Sequence, residues 1–142
     1  MQLWDIGKCD CISSIVAHSE EANCLDVDWE NQQALSGCTD GSVKLWCLEG
    51  AFRCTGILNT SAAVDCVSVD WSGKRSYIGL RNGVVRFWDL ASQATTDFEG
   101  GAIAAKEAGT AVSGMAIDAV GGRAVSGLED GHLLYWHFED TQ

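Results

Sequence analysis

The 142-residue sequence predicts an all-β protein built from a row of small antiparallel sheets. Three observations carry that expectation. One phrase returns three times, as TDGSVKLW at 39–46, RNGVVRFW at 81–88 and EDGHLLYW at 129–136. Trp4, Trp46, Trp88 and Trp136 are spaced by 42, 42 and 48 residues, and the last three each follow a glycine (Gly41, Gly83, Gly131) by five positions. Self-similarity at a period of roughly 20 to 50 residues marks stacked supersecondary units. Finally, Leu25, Val27 and Trp29 alternate with Cys24, Asp26 and Asp28, and Val43 and Leu45 alternate with Ser42 and Lys44. That period of two belongs to strands rather than helices.

Each unit reads as the same succession of elements. A first strand is announced by CLDVDW at 24–29, CVSVDW at 66–71 and, more loosely, GMAIDA at 114–119. A second ends at Gly37, Gly79 and Gly127, in ALSG, YIG and AVSG. The pairs Asp40-Gly41, Asn82-Gly83 and Asp130-Gly131 then supply turn dipeptides that tolerate left-handed backbone geometry between antiparallel strands. A third strand closes on each tryptophan. Both faces of these strands carry mainly small or apolar residues, so each sheet needs a neighbour on either side.

The phrase LSGCTDGSVKLW, together with the pairs Trp4-Asp5 and Trp88-Asp89, resembles the WD40-repeat family of β-propellers, and the resemblance covers nearly the whole chain. In that family each repeat supplies the outer strand of one blade and three inner strands of the next. The resemblance therefore implies strands near 23–29, 33–37, 42–46 and 51–57, then 64–71, 75–79, 84–88 and 93–98, then 111–118, 123–127 and 132–137. Residues 1–15 are the end of a preceding repeat plus an outer strand near 8–15, residues 16–57 repeat 1, 58–98 repeat 2, and 99–142 repeat 3, which lacks its own outer strand. The expected fold over 1–142 is a partial propeller of three four-stranded antiparallel blades in an incomplete ring.

The resemblance also implies a hydrogen-bonded tetrad linking the strands of the first blade, formed by His18, Ser36, Asp40 and Trp46. The other repeats depart from the pattern, with Ile78 and Asn82 in the second and no histidine near Ala108 in the third. Blades two and three are expected to hold mainly by packing. Trp46-Cys47 and Trp136-His137 replace the Trp-Asp pair, and Ala17-His18 stands where Gly-His usually opens a repeat.

Composition narrows the function classes. Nine Lys plus Arg face 20 Asp plus Glu, for a net charge of −11. That balance opposes direct nucleic-acid binding, which rests on neutralising phosphates with cations, and favours basic partner surfaces. The apolar runs fall far short of the roughly 18 residues of a membrane span. Seven cysteines, all between Cys9 and Cys66, with no signal-peptide pattern ahead of them, read as reduced thiols and a cytoplasmic location. Because the chain is expected to begin inside a repeat, the missing signal pattern weighs little on location.

Ser36, His18 and Asp40 are the parts of a nucleophilic relay, but a catalytic serine needs an accessible oxygen beside an oxyanion hole. Their spacing matches the strand-linking network instead. The cysteines lack paired C-x-x-C spacing, so no zinc site is expected; His132 and His137, five apart, point to opposite faces of a strand. Asp28, Asp70 and Asp118 recur just before turns, where Asp caps its own backbone. No catalytic, cofactor or metal constellation is expected.

What remains is a non-catalytic protein–protein interaction scaffold, part of a propeller in a multisubunit assembly. The alternative is a propeller module of a larger multidomain enzyme or signalling protein. The family implies a binding face where the loops entering each innermost strand emerge, at 19–23, 59–62 and 105–109, with the turns at 38–39, 80–81 and 128–129. Glu20, Glu21, Arg81 and Glu129 are the candidate contacts. Exposing one blade face, with about five apolar side chains, forfeits on the order of 8 to 15 kcal/mol, comparable with the whole net stability of a domain. The open ends are thus expected to be covered by further blades of the same polypeptide, by another subunit, or by a second copy lending its 8–15 strand.

Overall fold

The structure, a computed structural model, describes residues 1–92, 95–98 and 110–137, with the backbone alone for 95–98. The described residues contain thirteen strands and no helix. A leading pair comprises β1 (Gln2–Asp5) and β2 (Asp10–Ser14). Sheet 1 comprises β3 (Ala22–Asp28), β4 (Gln33–Cys38), β5 (Ser42–Cys47) and β6 (Arg53–Asn59). Sheet 2 comprises β7 (Val64–Asp70), β8 (Arg75–Leu80), β9 (Val85–Asp89) and β10 (Thr95–Phe98). Sheet 3 comprises β11 (Val112–Asp118), β12 (Arg123–Leu128) and β13 (Leu133–His137). Every sheet is an antiparallel meander in sequence order.

The strands lie where the repeat places them, with local shifts. The fourth strand of sheet 1 runs over Arg53–Asn59 rather than 51–57. Cys9 is in the turn before β2 with a positive φ, not in a strand. Among the described residues sheets 1 and 2 have four strands each and sheet 3 has three. The leading pair reproduces the last two strands of a sheet, because its register slips just before Trp4 as that of β5 and β6 slips just before Trp46.

The repeat is visible bond by bond. Gly41, Gly83 and Gly131 have φ of 86°, 84° and 90°, a region costly for residues with a Cβ, and their amides bond the carbonyls of Cys38, Leu80 and Leu128. The amides of Thr39, Arg81 and Glu129 reach back to the carbonyls of Glu21, Ala63 and Ala111. At the opposite end, Asp28, Asp70 and Asp118 accept amide bonds from Asn31, Gly73 and Gly121 and cap the first turns.

Packing between sheets forms the core. Leu35, Val43 and Leu45 of sheet 1 meet Val64, Ile78, Leu80 and Trp88 of sheet 2 in one buried cluster. Cys66 and Val85 of sheet 2 meet Val112, Ala124, Leu128 and Trp136 of sheet 3 in another. A third joins Ala17, Ala34, Trp46 and Leu48 with Met1 and Ile15. The innermost strands lie side by side, and Asp26 of β3 crosses to β7, where it accepts bonds from the Val69 amide (2.9 Å) and the Trp71 indole (3.1 Å). Successive antiparallel sheets stacked face to face through their inner strands make the arrangement that of propeller blades.

Candidate functional site

The buried polar cluster of sheet 1 comes first, because it decides between chemistry and architecture. His18 enters from the connection before β3. Its imidazole bonds the Ser36 hydroxyl through Nε2 (2.7 Å) and the Ser42 hydroxyl through Nδ1 (2.9 Å). The Trp46 indole donates to the same Ser36 oxygen at 2.9 Å. Burial, then the nearby Lys44 ammonium, pulls the imidazole below its usual pKa, so it sits neutral between its two hydroxyls.

Asp40 joins this network differently from the expected tetrad. It does not bond His18. Its Oδ1 accepts the Ser42 amide at 2.7 Å and its Oδ2 the Ser19 hydroxyl at 3.0 Å, so it reaches the imidazole only through Ser42. The Ser42 bonds hold its carboxyl well below the usual carboxylate range. Val84 and His132 occupy the place of Ser42 in the other repeats, and their amides bond Asn82 and Asp130 in the same way. The acid is thus first a cap on the turn. Ser42 carries no signal in the repeated phrase, because its equivalents Val84 and His132 do not share its hydroxyl.

This geometry serves strand linkage. Ser36 is 3% exposed and its oxygen already has two partners, so it is not presented to a substrate. His18, Cys38 and Asp40 bring donor atoms within 4.8 Å of one another, but a metal there would have to displace a serine from the imidazole. Sheet 3 keeps more of the linkage than expected, since the Trp136 indole donates to Ser126 at 2.8 Å. In sheet 2, Ile78 replaces that serine and is fully buried, while Ser76 bonds the Trp88 carbonyl instead.

The other candidates lie on the surface. Arg81 is bonded by Nη2 and Nε to Asp65, at 2.7 and 3.2 Å. The Asp65 carboxylate, followed by Glu129 and Glu21, raises the pKa of the guanidinium. Residues from all three sheets lie at this end through equivalent backbone bonds: Glu21 before β3 accepts the Thr39 amide, Arg81 of sheet 2 donates to Ala63, and Glu129 after β12 donates to Ala111. Glu20 is exposed beside Glu21 in the chain. Asn23 fastens this corner by donating to the Val64 carbonyl at 3.2 Å. Asp65 and Asn23 sit at the residue skipped by the register slip of their strands, which turns their side chains to this end. The expected loop at 105–109 lies outside the described residues.

Residues 9–47 match the family described as WD domain, G-beta repeat. Two computationally designed proteins share the chain's fold. Ika4 is 20% identical with a TM-score of 0.74, over 97% of this chain and 79% of Ika4. Ika8 is 20% identical with a TM-score of 0.77, over 99% of this chain and 41% of Ika8. No curated protein sequence matches the chain.

Proposed function

We propose that the chain is a non-catalytic protein–protein interaction scaffold within a propeller of a multisubunit assembly, and that it takes basic partner segments on the face around Arg81. The observation that carries this reading is the Arg81–Asp65 ion pair, a guanidinium already neutralised, at the same end of the sheets as Glu21 and Glu129, whose backbone groups bond there in the equivalent turns. The face is left net negative, in a chain of net charge −11. Such a field steers cationic partners and repels phosphate backbones. WD repeats are generally interaction modules. The remaining blades come from the same or another chain, and the free cysteines fit a reducing, cytoplasmic setting.

An NMR titration with a lysine- and arginine-rich peptide tests the reading. Shifts are expected to cluster at Glu20, Glu21, Asp65, Arg81 and Glu129, and to vanish in a Glu21→Lys, Glu129→Lys variant. Shifts elsewhere, or binding unchanged by the reversal, would contradict it. The second reading, a propeller module of a larger multidomain enzyme or signalling protein, rests on the same face and is decided by the full-length reading frame.

A further inference from the structure

Each junction between neighbouring sheets is closed by one repeated contact. A Cβ added to Gly37 would lie 2.5 Å from Val64 Cγ1, and one added to Gly79 would lie 2.8 Å from Val112 Cγ1. The valine that opens each innermost strand thus sits directly on a glycine of the preceding sheet. Gly127 is the third glycine of this series. Among the described residues no valine sits on it: an added Cβ would meet Leu133 and Ser113 of its own sheet, both at 3.8 Å.

The matching half is also unfilled. Ala22 occupies the register place of Val64 and Val112, pairing with Cys38 as they pair with Leu80 and Leu128, and each strand slips register immediately afterwards. Ala22 is exposed and lines an open cleft of about 270 Å³ beside Met1, Gln2 and Leu25. Among the described residues the chain therefore carries an unfilled seat at one end of its row of sheets and an unseated knob at the other.

We propose that a second copy of the chain closes both ends, with Ala22 of each copy seated on Gly127 of the other. Sheet 3 of one copy then packs on sheet 1 of its partner, through the repeated contact that already joins sheets 1 and 2. Three sheets per copy give six, within the roughly four to eight at which propellers close. Val125, Leu133 and Tyr135, now 42%, 75% and 64% exposed, are covered as their counterparts Leu35, Val43 and Leu45 are. Leu133 and Tyr135 are larger than Val43 and Leu45, which suits the smaller Ala22.

One strand changes partner in this ring. β2 has the register of an outer strand, which sheet 3 lacks among the described residues, and it leaves β1 to pair with β13 of the other copy. β1 is the strand that yields. Trp4 is 53% exposed with its indole bonded only to Gln2, whereas the equivalent Trp136 is 4% exposed and bonded to Ser126. The inference rests on sheet stacking and not on the acidic face, so either can fail alone.

Sedimentation velocity over a concentration series, from sub-micromolar to about a hundred micromolar, tests it. The chain is expected to sediment as a dimer that tightens with added salt, because two acidic chains repel. Gly127→Val and Ala22→Asp are each expected to give folded monomers by circular dichroism. The first fills its own seat and the second puts a charge in the junction. If Gly127→Val does not fold, Ala22→Asp, at an exposed position, decides by itself. A wild-type chain that stays monomeric, a dimer that survives these substitutions, or an open-ended series of larger species would overturn the proposal.

Discussion

Two faces of this molecule carry the same strand pattern and meet different fates. On sheet 1, Leu35, Val43 and Leu45 face sheet 2 and are 0%, 0% and 7% exposed. On sheet 3, Val125, Leu133 and Tyr135 stand at the same register positions and are 42%, 75% and 64% exposed. Alternation in the sequence makes an apolar face; only a neighbouring sheet makes it a core. The junction between sheets 1 and 2 is closed, and the end of sheet 3 shows what it would be without its partner.

The sharpest way to break this comparison is to truncate both faces. Leu35→Ala is expected to destabilise the monomer by about 2–5 kcal/mol, because it removes fully buried methyl groups and leaves a cavity. Val125→Ala should change it by less than about 0.5 kcal/mol, as surface substitutions do. Urea unfolding of monomeric protein measures both. Equal losses would mean that the end face is covered within the chain.

A smaller effect separates the two serine linkages. Ser36→Ala strands a buried imidazole nitrogen and a buried indole, at a cost of about 1–3 kcal/mol. Ser126→Ala strands only the Trp136 indole and should cost about half as much. The same denaturation experiment ranks them, and a reversed order would show that the His18 network is not what ties sheet 1 together.

The network also has a pH signature confined to sheet 1. Burial depresses the folded-state pKa of His18, so the native state binds fewer protons than the unfolded chain below about pH 6.5. Its contribution is present above that pH and lost as pH falls through the folded value. Asp40 adds a second loss below about pH 4, since its folded pKa is also depressed. His18→Gln is expected to flatten the limb below pH 6.5. An unchanged slope in urea titrations between pH 7 and 5 would show that His18 does not supply it.

The mildest contrast is in the thiols. Burial pushes Cys24 up to about 12 and Cys66 up to about 11, while Cys9, Cys11 and Cys54 are exposed. Timed alkylation followed by mass spectrometry should label the exposed three first. Early labelling of Cys24 or Cys66 would mean that the junctions they occupy open readily.

The strands, turn glycines and stacking were legible because each is repeated: three turn phrases and three glycine-ended second strands leave little freedom of register. Ser42 and Asp65 were not legible. Ser42 matters through a bond to a histidine 24 residues away. Asp65 faces Arg81 only because a register slip, which no residue type announces, turns it to the loop end. The tetrad was half legible for the same reason, since the distance from His18 to Asp40 is set by how the turn closes and not by the spacing of the two residues.

The most direct test of the stacked-sheet account is to place one methyl at each of the three equivalent glycines. Gly37→Ala, Gly79→Ala and Gly127→Ala are compared by urea unfolding at concentrations where the chain is monomeric. The first two should be destabilised by about 1–3 kcal/mol, because the methyl meets the valine of the next sheet and also the Cys24 or Cys66 sulfur of its own sheet, and Gly127→Ala should stay within about 0.5 kcal/mol of the parent. Three equal effects, or tolerance at Gly37 and Gly79, would contradict the packing of each sheet on the next.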